Sequence, residues 1–215
     1  MKISAQITFF CAKNIRFMTR ISIFASGNGS NAENIVRYFS DSDDIVVSLI
    51  ISNKRDAYVH ERARHLGIPS FTFSKPEFDD GLLVLDTLRE YNIDFIVLAG
   101  FLLKLSQPLL DSYPERIVNI HPALLPRHGG KGMYGDRVHR AVVDSGDKES
   151  GITIHYVNEN YDEGSIIYQA TCEVNKEDTP DDIARKVHVL EYTHYPRVVE
   201  EVVKKIASGE SQIKK

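Results

Sequence analysis

Short apolar runs alternate with amphipathic stretches through the first half of this chain. Ile21 to Ala25 reads as a strand, and Ile45 to Ile51 is apolar at nearly every position, as expected of a strand covered on both faces. Between them Asn31 to Phe39 carries helical spacing, and Ala57 to Leu66 repeats it before Gly67. A short strand at Ser70 to Phe73, a helix at Glu77 to Tyr91 and the apolar strand Phe95 to Ala99 follow. This alternation predicts an α/β fold with a mostly parallel, twisted sheet and helices on both faces. After Arg116 the pattern changes to a strand at Ile117 to Ile120, a glycine- and proline-rich loop, and a helix near Arg137 to Ser145. Two further strands, Gly151 to Val157 and Ser165 to Val174, are separated only by Asn158 to Gly164, which predicts an antiparallel pair late in the chain. Thr179-Pro180-Asp181-Asp182 opens the last long helix with a hydroxyl cap, a proline and acids in the first turn.

Composition narrows the class of protein. With 215 residues, 42% hydrophobic and 26% charged, the chain can bury a full core and does not resemble a disordered segment. A net charge of -4 and the absence of a large basic cluster argue against a nucleic-acid partner. Cys11 and Cys172 lack the spacing of a zinc site, so no metal is expected, and a reduced, cytoplasmic setting is the simplest inference. The apolar run at 7 to 12 is too short and too polar to span a membrane. Because the first clear strand begins at Ile21, residues 1–19 are expected to be an extension outside the core, with Met18 an alternative start, and residues 20–215 a single domain. No internal repeat or low-complexity linker divides that domain.

Two short motifs carry candidate chemistry. Asn119 and His121 lie two apart on one strand and project to the same face, and Pro122 favours an extended backbone at His121. An amide donor and a titratable imidazole aimed at one spot suit acyl transfer, and equally a strand end with a satisfied histidine. Ser26-Gly27-Asn28-Gly29-Ser30-Asn31 joins the first strand to the first helix, where glycines and free N–H groups favour a phosphate. A dinucleotide site would require an acid after the second strand; Ser52-Asn53-Lys54-Arg55 stands there, which disfavours NAD and leaves NADP through Lys54 or Arg55 as an alternative. Asp162-Glu163-Gly164 falls in the turn between the late strands, within reach of the strand ends or simply as a turn acid. His155 reads as a supporting or a structural histidine. Glu191, with His188 and Tyr195 on one helical face, presents polar groups to a ligand or to water. The stretch Gly129 to Gly135 has the composition of a mobile lid or a plain loop.

Ser-Gly-Asn-Gly-Ser-Asn at 26–31, Leu-Ala-Gly-Phe at 98–101, Asn-Ile-His-Pro-Ala-Leu-Leu-Pro at 119–126 and Asp-Glu-Gly at 162–164 together resemble the phosphoribosylglycinamide formyltransferase family. The likeness runs from about Ile21 to the last helix. It implies a Rossmann-like formyltransferase fold and a reaction in purine biosynthesis. In that reaction N10-formyltetrahydrofolate, as co-substrate, gives its formyl group to the amino group of 5-phosphoribosylglycinamide without a metal. By the same resemblance Asn119 and His121 stabilise the oxyanion, and Asp162 orients His121 and a water. Gly29, Ser30, Asn31 and Glu191 match the family's contacts to phosphoribosylglycinamide, while Leu102, Leu103, Lys104, Leu105 and Asn119 match its folate-binding positions. Partners are then small-molecule substrates, with the chain a monomer or homodimer. The resemblance departs at Leu103, where a better-known subgroup has arginine, in a shorter helix before Tyr91, and in a longer loop at 129–135. Relatives with the same trio include a deformylase that uses water and a formyltransferase that uses charged tRNA. Each normally carries another domain, for which this length leaves no room. A non-enzymatic module binding NADP or a phosphate ligand is the remaining alternative.

Overall fold

The computed structural model describes residues 18–209; Cys11 and all but the last two residues of the extension expected over 1–19 lie outside them. Seven strands form one sheet in the order β3-β2-β1-β4-β5-β6-β7. The first five in that order, β3 (Ser70–Thr72), β2 (Ile45–Ser52), β1 (Thr19–Phe24), β4 (Phe95–Leu98) and β5 (Ile117–His121), run parallel. Strands β6 (Glu149–Tyr156) and β7 (Ile166–Glu173) join antiparallel, as their short connection predicts.

Side chains alternate across β1, so Ile21 and Ile23 enter one core cluster and Phe24 the other. The first cluster packs α1 (Ser30–Tyr38), α2 (Val59–His65), α6 (Asp136–Ser145) and α7 (Pro180–Ala207) against one face. The second packs α3 (Lys75–Asp80), α4 (Leu82–Glu90) and α5 (Gln107–Ser112) against the other. Helix α7 holds Pro196 in its interior, which removes the N–H that would bond the Tyr192 carbonyl. Asn34 Nδ2 of α1 donates to that carbonyl at 2.9 Å instead, joining the two helices. Tyr195 is fully buried and donates to Leu98 O at 2.8 Å, so it pins α7 to the sheet and faces neither ligand nor water. Burial pushes its phenol well above the usual value.

Three local expectations need correction. The helix expected over Glu77 to Tyr91 is two helices, because Gly81 adopts φ 79 and a Cβ there would meet Ser106 Oγ at 2.2 Å. The first of the pair starts earlier, at Lys75, where the Glu77 carboxylate accepts from the Ser74 N–H at 2.6 Å. Helix α5 is additional, opened by Ser106 with a proline in its first turn. Strand β1 also begins at Thr19, paired with Ile45.

The strand order reverses between β1 and β4, which opens a crevice at their carboxyl ends. The glycine loop, the segment after Leu98 and His121 all leave the sheet at that edge.

Candidate active site

The glycine loop is fixed from several sides. Gly29 has φ 75, and a Cβ on it would sit 2.4 Å from Val59 Cγ2, so only glycine fits. Ser26 N–H donates to Gly100 O at 3.0 Å, and Ser26 Oγ accepts from the Leu102 N–H at 2.9 Å, tying the loop to the segment after β4. Arg62 of α2 donates through Nε to Asn28 O at 2.9 Å and pairs with Glu33 in the first turn of α1. The first N–H groups of α1 thus point to a fixed spot, where the helix dipole favours an anion.

Strand β5 delivers the second motif. Val118 and Ile120 turn into the first core cluster, leaving Asn119 and His121 on the opposite face. Asn119 lies opposite His155 on β6, with its Nδ2 3.1 Å from His155 Nε2. His155 Nδ1 in turn donates to Tyr156 O at 2.9 Å, which leaves Nε2 between Asn119 and Asp162. His121 is 3% exposed and donates from Nε2 to His128 O at 2.8 Å, which leaves Nδ1 as the ring nitrogen nearer Asp162. Asp162 Oδ2 stands 3.5 Å from that Nδ1, and Asp162 Oδ1 stands 3.6 Å from His155 Nε2. The carboxylate also accepts from the Gly130 N–H at 2.9 Å. Gly164 sets the loop carrying Asp162, since a Cβ there would lie 1.6 Å from Tyr156 O.

These environments pull the two titrating groups in definite directions. Burial holds the His121 imidazole below its ordinary 6.5, with the Asp162 charge opposing that shift. Burial pushes the Asp162 carboxyl up, but the imidazoles of His155 and His121 and the Gly130 N–H outweigh it and leave the group below 3.8. A neutral buried base beside an ionised carboxylate is an arrangement able to accept a proton and then hold the resulting cation.

A cavity of about 550 Å3 joins the two motifs. Gly29, Ser30, Asn31, Asn119, His121, Asp162, Glu191 and Leu102 all line it. Glu191 accepts from Asn31 Nδ2 at 3.0 Å and contacts His188 Nδ1 at 3.1 Å. Leu103, Lys104 and Leu105 do not line the cavity: Leu105 is buried in the second core cluster, Leu103 packs against it, and Lys104 is exposed. Lys54 and Arg55 lie away from it as well. Among the described residues no group of three or more His, Cys, Asp and Glu is placed to hold a metal ion.

Several residues at the site carried no sequence signal. His128 Nε2 and Asp147 Oδ2 lie 2.6 Å apart, and this contact steadies the turn whose carbonyl orients His121. Thr153 Oγ1 donates to Ala123 O at 2.7 Å and accepts from the Leu125 N–H at 2.9 Å, fixing the loop after His121. His139 completes the wall, together with the loop at 130–135 that the glycine-rich composition already marks.

A glycine turn at a helix start and an amide–imidazole–carboxylate cluster on one crevice have the geometry of a group-transfer site of the acyl class. The formyl transferase family model matches residues 19–199, and the chain belongs to that family. It is 45% identical over 188 residues to a chloroplastic phosphoribosylglycinamide formyltransferase of Arabidopsis thaliana, covering 84% of this chain and 64% of that protein. The chain therefore spans a little under two thirds of the plant relative's length. The phosphoribosylglycinamide formyltransferase of Bacillus subtilis is 36% identical over 191 residues, covering 86% of this chain and 95% of that one. A crystal structure of the phosphoribosylglycinamide formyltransferase from Bacillus halodurans superposes with a TM-score of 0.80 at 34% identity, over 87% of this chain and 97% of the other.

Proposed function

We propose that this chain transfers the formyl group of 10-formyltetrahydrofolate to the amino group of 5-phosphoribosylglycinamide, in the purine pathway of its relatives. The observation that carries the reading is that one cavity holds an anion turn at one wall and the Asn119, His121 and Asp162 cluster at another. A phosphorylated amine needs both.

The acceptor's phosphate sits on the N–H groups at Gly29, Ser30 and Asn31, with Glu191 beside the rest of the acceptor. The folate lies along Leu102 and the backbone of Gly100, with Asn119 at the formyl group; Leu103 and Leu105 hold this segment in place from beneath, and Lys104 faces solvent. The amine attacks the formyl carbon, and its proton passes to His121 Nδ1, directly or through a water held by Asp162. Asn119 and the new Nδ1–H then share the oxyanion, where one such donor typically contributes about 10²- to 10³-fold in rate. Collapse breaks the bond from carbon to N10, and the proton from His121 goes to N10. The products are formylglycinamide ribonucleotide and tetrahydrofolate. Asp162 compensates the imidazolium between these two transfers.

Purified protein with 10-formyltetrahydrofolate, followed for tetrahydrofolate release with and without the acceptor, tests the reading. Release that needs the acceptor and matches formylated product is expected. Release without it would mean hydrolysis, and none in either tube would remove the chain from formyl transfer. The same reading has the chain act on small molecules as a monomer or homodimer in the cytoplasm, where Cys172 stays a thiol. No helix among the described residues is long and apolar enough to cross a membrane. The plant relatives are named chloroplastic, so fractionation of source cells decides the compartment.

A further inference from the structure

His139 lies on α6, outside every motif that points to the reaction, yet it lines the same cavity. Only 7% of the residue is exposed, and its Nδ1 has no hydrogen-bond partner. Buried imidazole nitrogens are ordinarily satisfied, and an orphan in a ligand cavity is the kind of exception a ligand removes. Its surroundings indicate which part of the ligand that is. His139 lies beside Glu191 both in the main cavity and in a shallower depression of about 340 Å3 alongside it. Glu191 binds Asn31, whose own Oδ1 is likewise buried without a partner. These polar groups flank the glycine loop, and His139 is also close enough to His121 for their charges to interact. An acceptor with its phosphate on that loop and its amine at His121 must lay its sugar between the two ends.

We propose that His139 is an acceptor-binding residue that hydrogen-bonds a sugar hydroxyl of the phosphoribosyl group. This rests on the proposed acceptor and adds the group that recognises its ribose. Burial holds the ring below its ordinary 6.5, so at neutral pH it is uncharged and offers one donor and one acceptor nitrogen. A vicinal diol supplies the complementary pair. A merely structural histidine would have no reason to distinguish ribose from deoxyribose.

The test compares the protein with His139→Ala and His139→Asn, using 5-phosphoribosylglycinamide and its 2′-deoxy and 3′-deoxy analogues. In the unaltered protein, removal of the contacted hydroxyl is expected to raise the acceptor KM about tenfold, the scale of one hydrogen bond. His139→Ala should raise the KM for the full acceptor by a similar factor, leave kcat and the folate KM within about threefold, and abolish the penalty for one deoxy analogue. His139→Asn, which keeps a short polar amide, should recover part of the loss and serves as the readout if the alanine variant does not fold. Deoxy penalties that persist in full in both variants, or a loss confined to kcat or to the folate KM, would overturn the assignment while leaving formyl transfer intact. An unaltered protein that formylates no phosphoribosylglycinamide would overturn both.

Discussion

At the glycine-loop end of the cavity the wall is a turn of main chain, held by the conformation of Gly29 and by contacts from Arg62 and Ser26. At the other end it is made of side chains from separate parts of the chain, with Asn119 and His121 on β5, His155 on β6 and Asp162 on the loop after it. The first end leaves no room for a Cβ at Gly29. The second is built from side-chain groups, two of which also hold backbone, since His121 donates to His128 O and Asp162 accepts from the Gly130 N–H. On the proposed function, one cavity therefore separates a phosphate seat made of backbone from chemistry made of side chains.

The largest effect should come from the side-chain end. His121→Ala and Asp162→Ala should each lower kcat by about 10³-fold, the combined scale of acid–base and oxyanion terms, while the melting temperature shifts little. Turnover close to normal in either variant removes that residue from the reaction. Next comes Gly29→Ala, where a positive φ and the approach to Val59 predict about 1–3 kcal/mol of lost stability. Its acceptor KM should rise more than tenfold while the folate KM holds. An alanine accommodated without change would show that the turn is not rigid.

Smaller effects sharpen the electrostatics. The nuclear magnetic resonance titration of His121 should have its midpoint below 6.5, and Asp162→Asn should move it lower still, because the carboxylate is the group raising it. The sign carries into stability. An imidazole depressed in the fold and ordinary when unfolded takes up its proton first in the unfolded chain. As pH falls below about 6.5 this lowers stability, until the folded value is passed. A midpoint above 6.5 would reverse that sign. Smallest of all, Asp147→Asn should weaken the hold on His128 and cost about two- to fivefold in kcat, the scale of one partly exposed hydrogen bond. A loss as large as that of His121→Ala would mean that Asp147 does more than steady a turn.

The parallel half of the fold is legible because each strand–helix unit announces itself locally, through apolar runs such as Ile45 to Ile51 and the stop at Gly67. The break at Gly81 is hidden because α3 and α4 together fill a single helical pattern, although Ser74 and Glu77 already spell a start signal. Within the site, Asn119 and His121 share a strand face by periodicity alone. Asp162, His128 with Asp147, and His139 reach them only through long-range packing, which local spacing does not encode. The segment Leu103 to Leu105 illustrates the converse: its motif is evident, but its side chains go to the core and the surface, away from the cavity.

Calorimetric titration of 5-phosphoribosylglycinamide into His121→Ala tests the separation of the two ends most directly. The account predicts acceptor affinity within about threefold of the unaltered protein, alongside a turnover reduced by about 10³-fold. Affinity that falls in step with turnover would contradict it, because the backbone turn would then not bind the acceptor independently of the catalytic cluster.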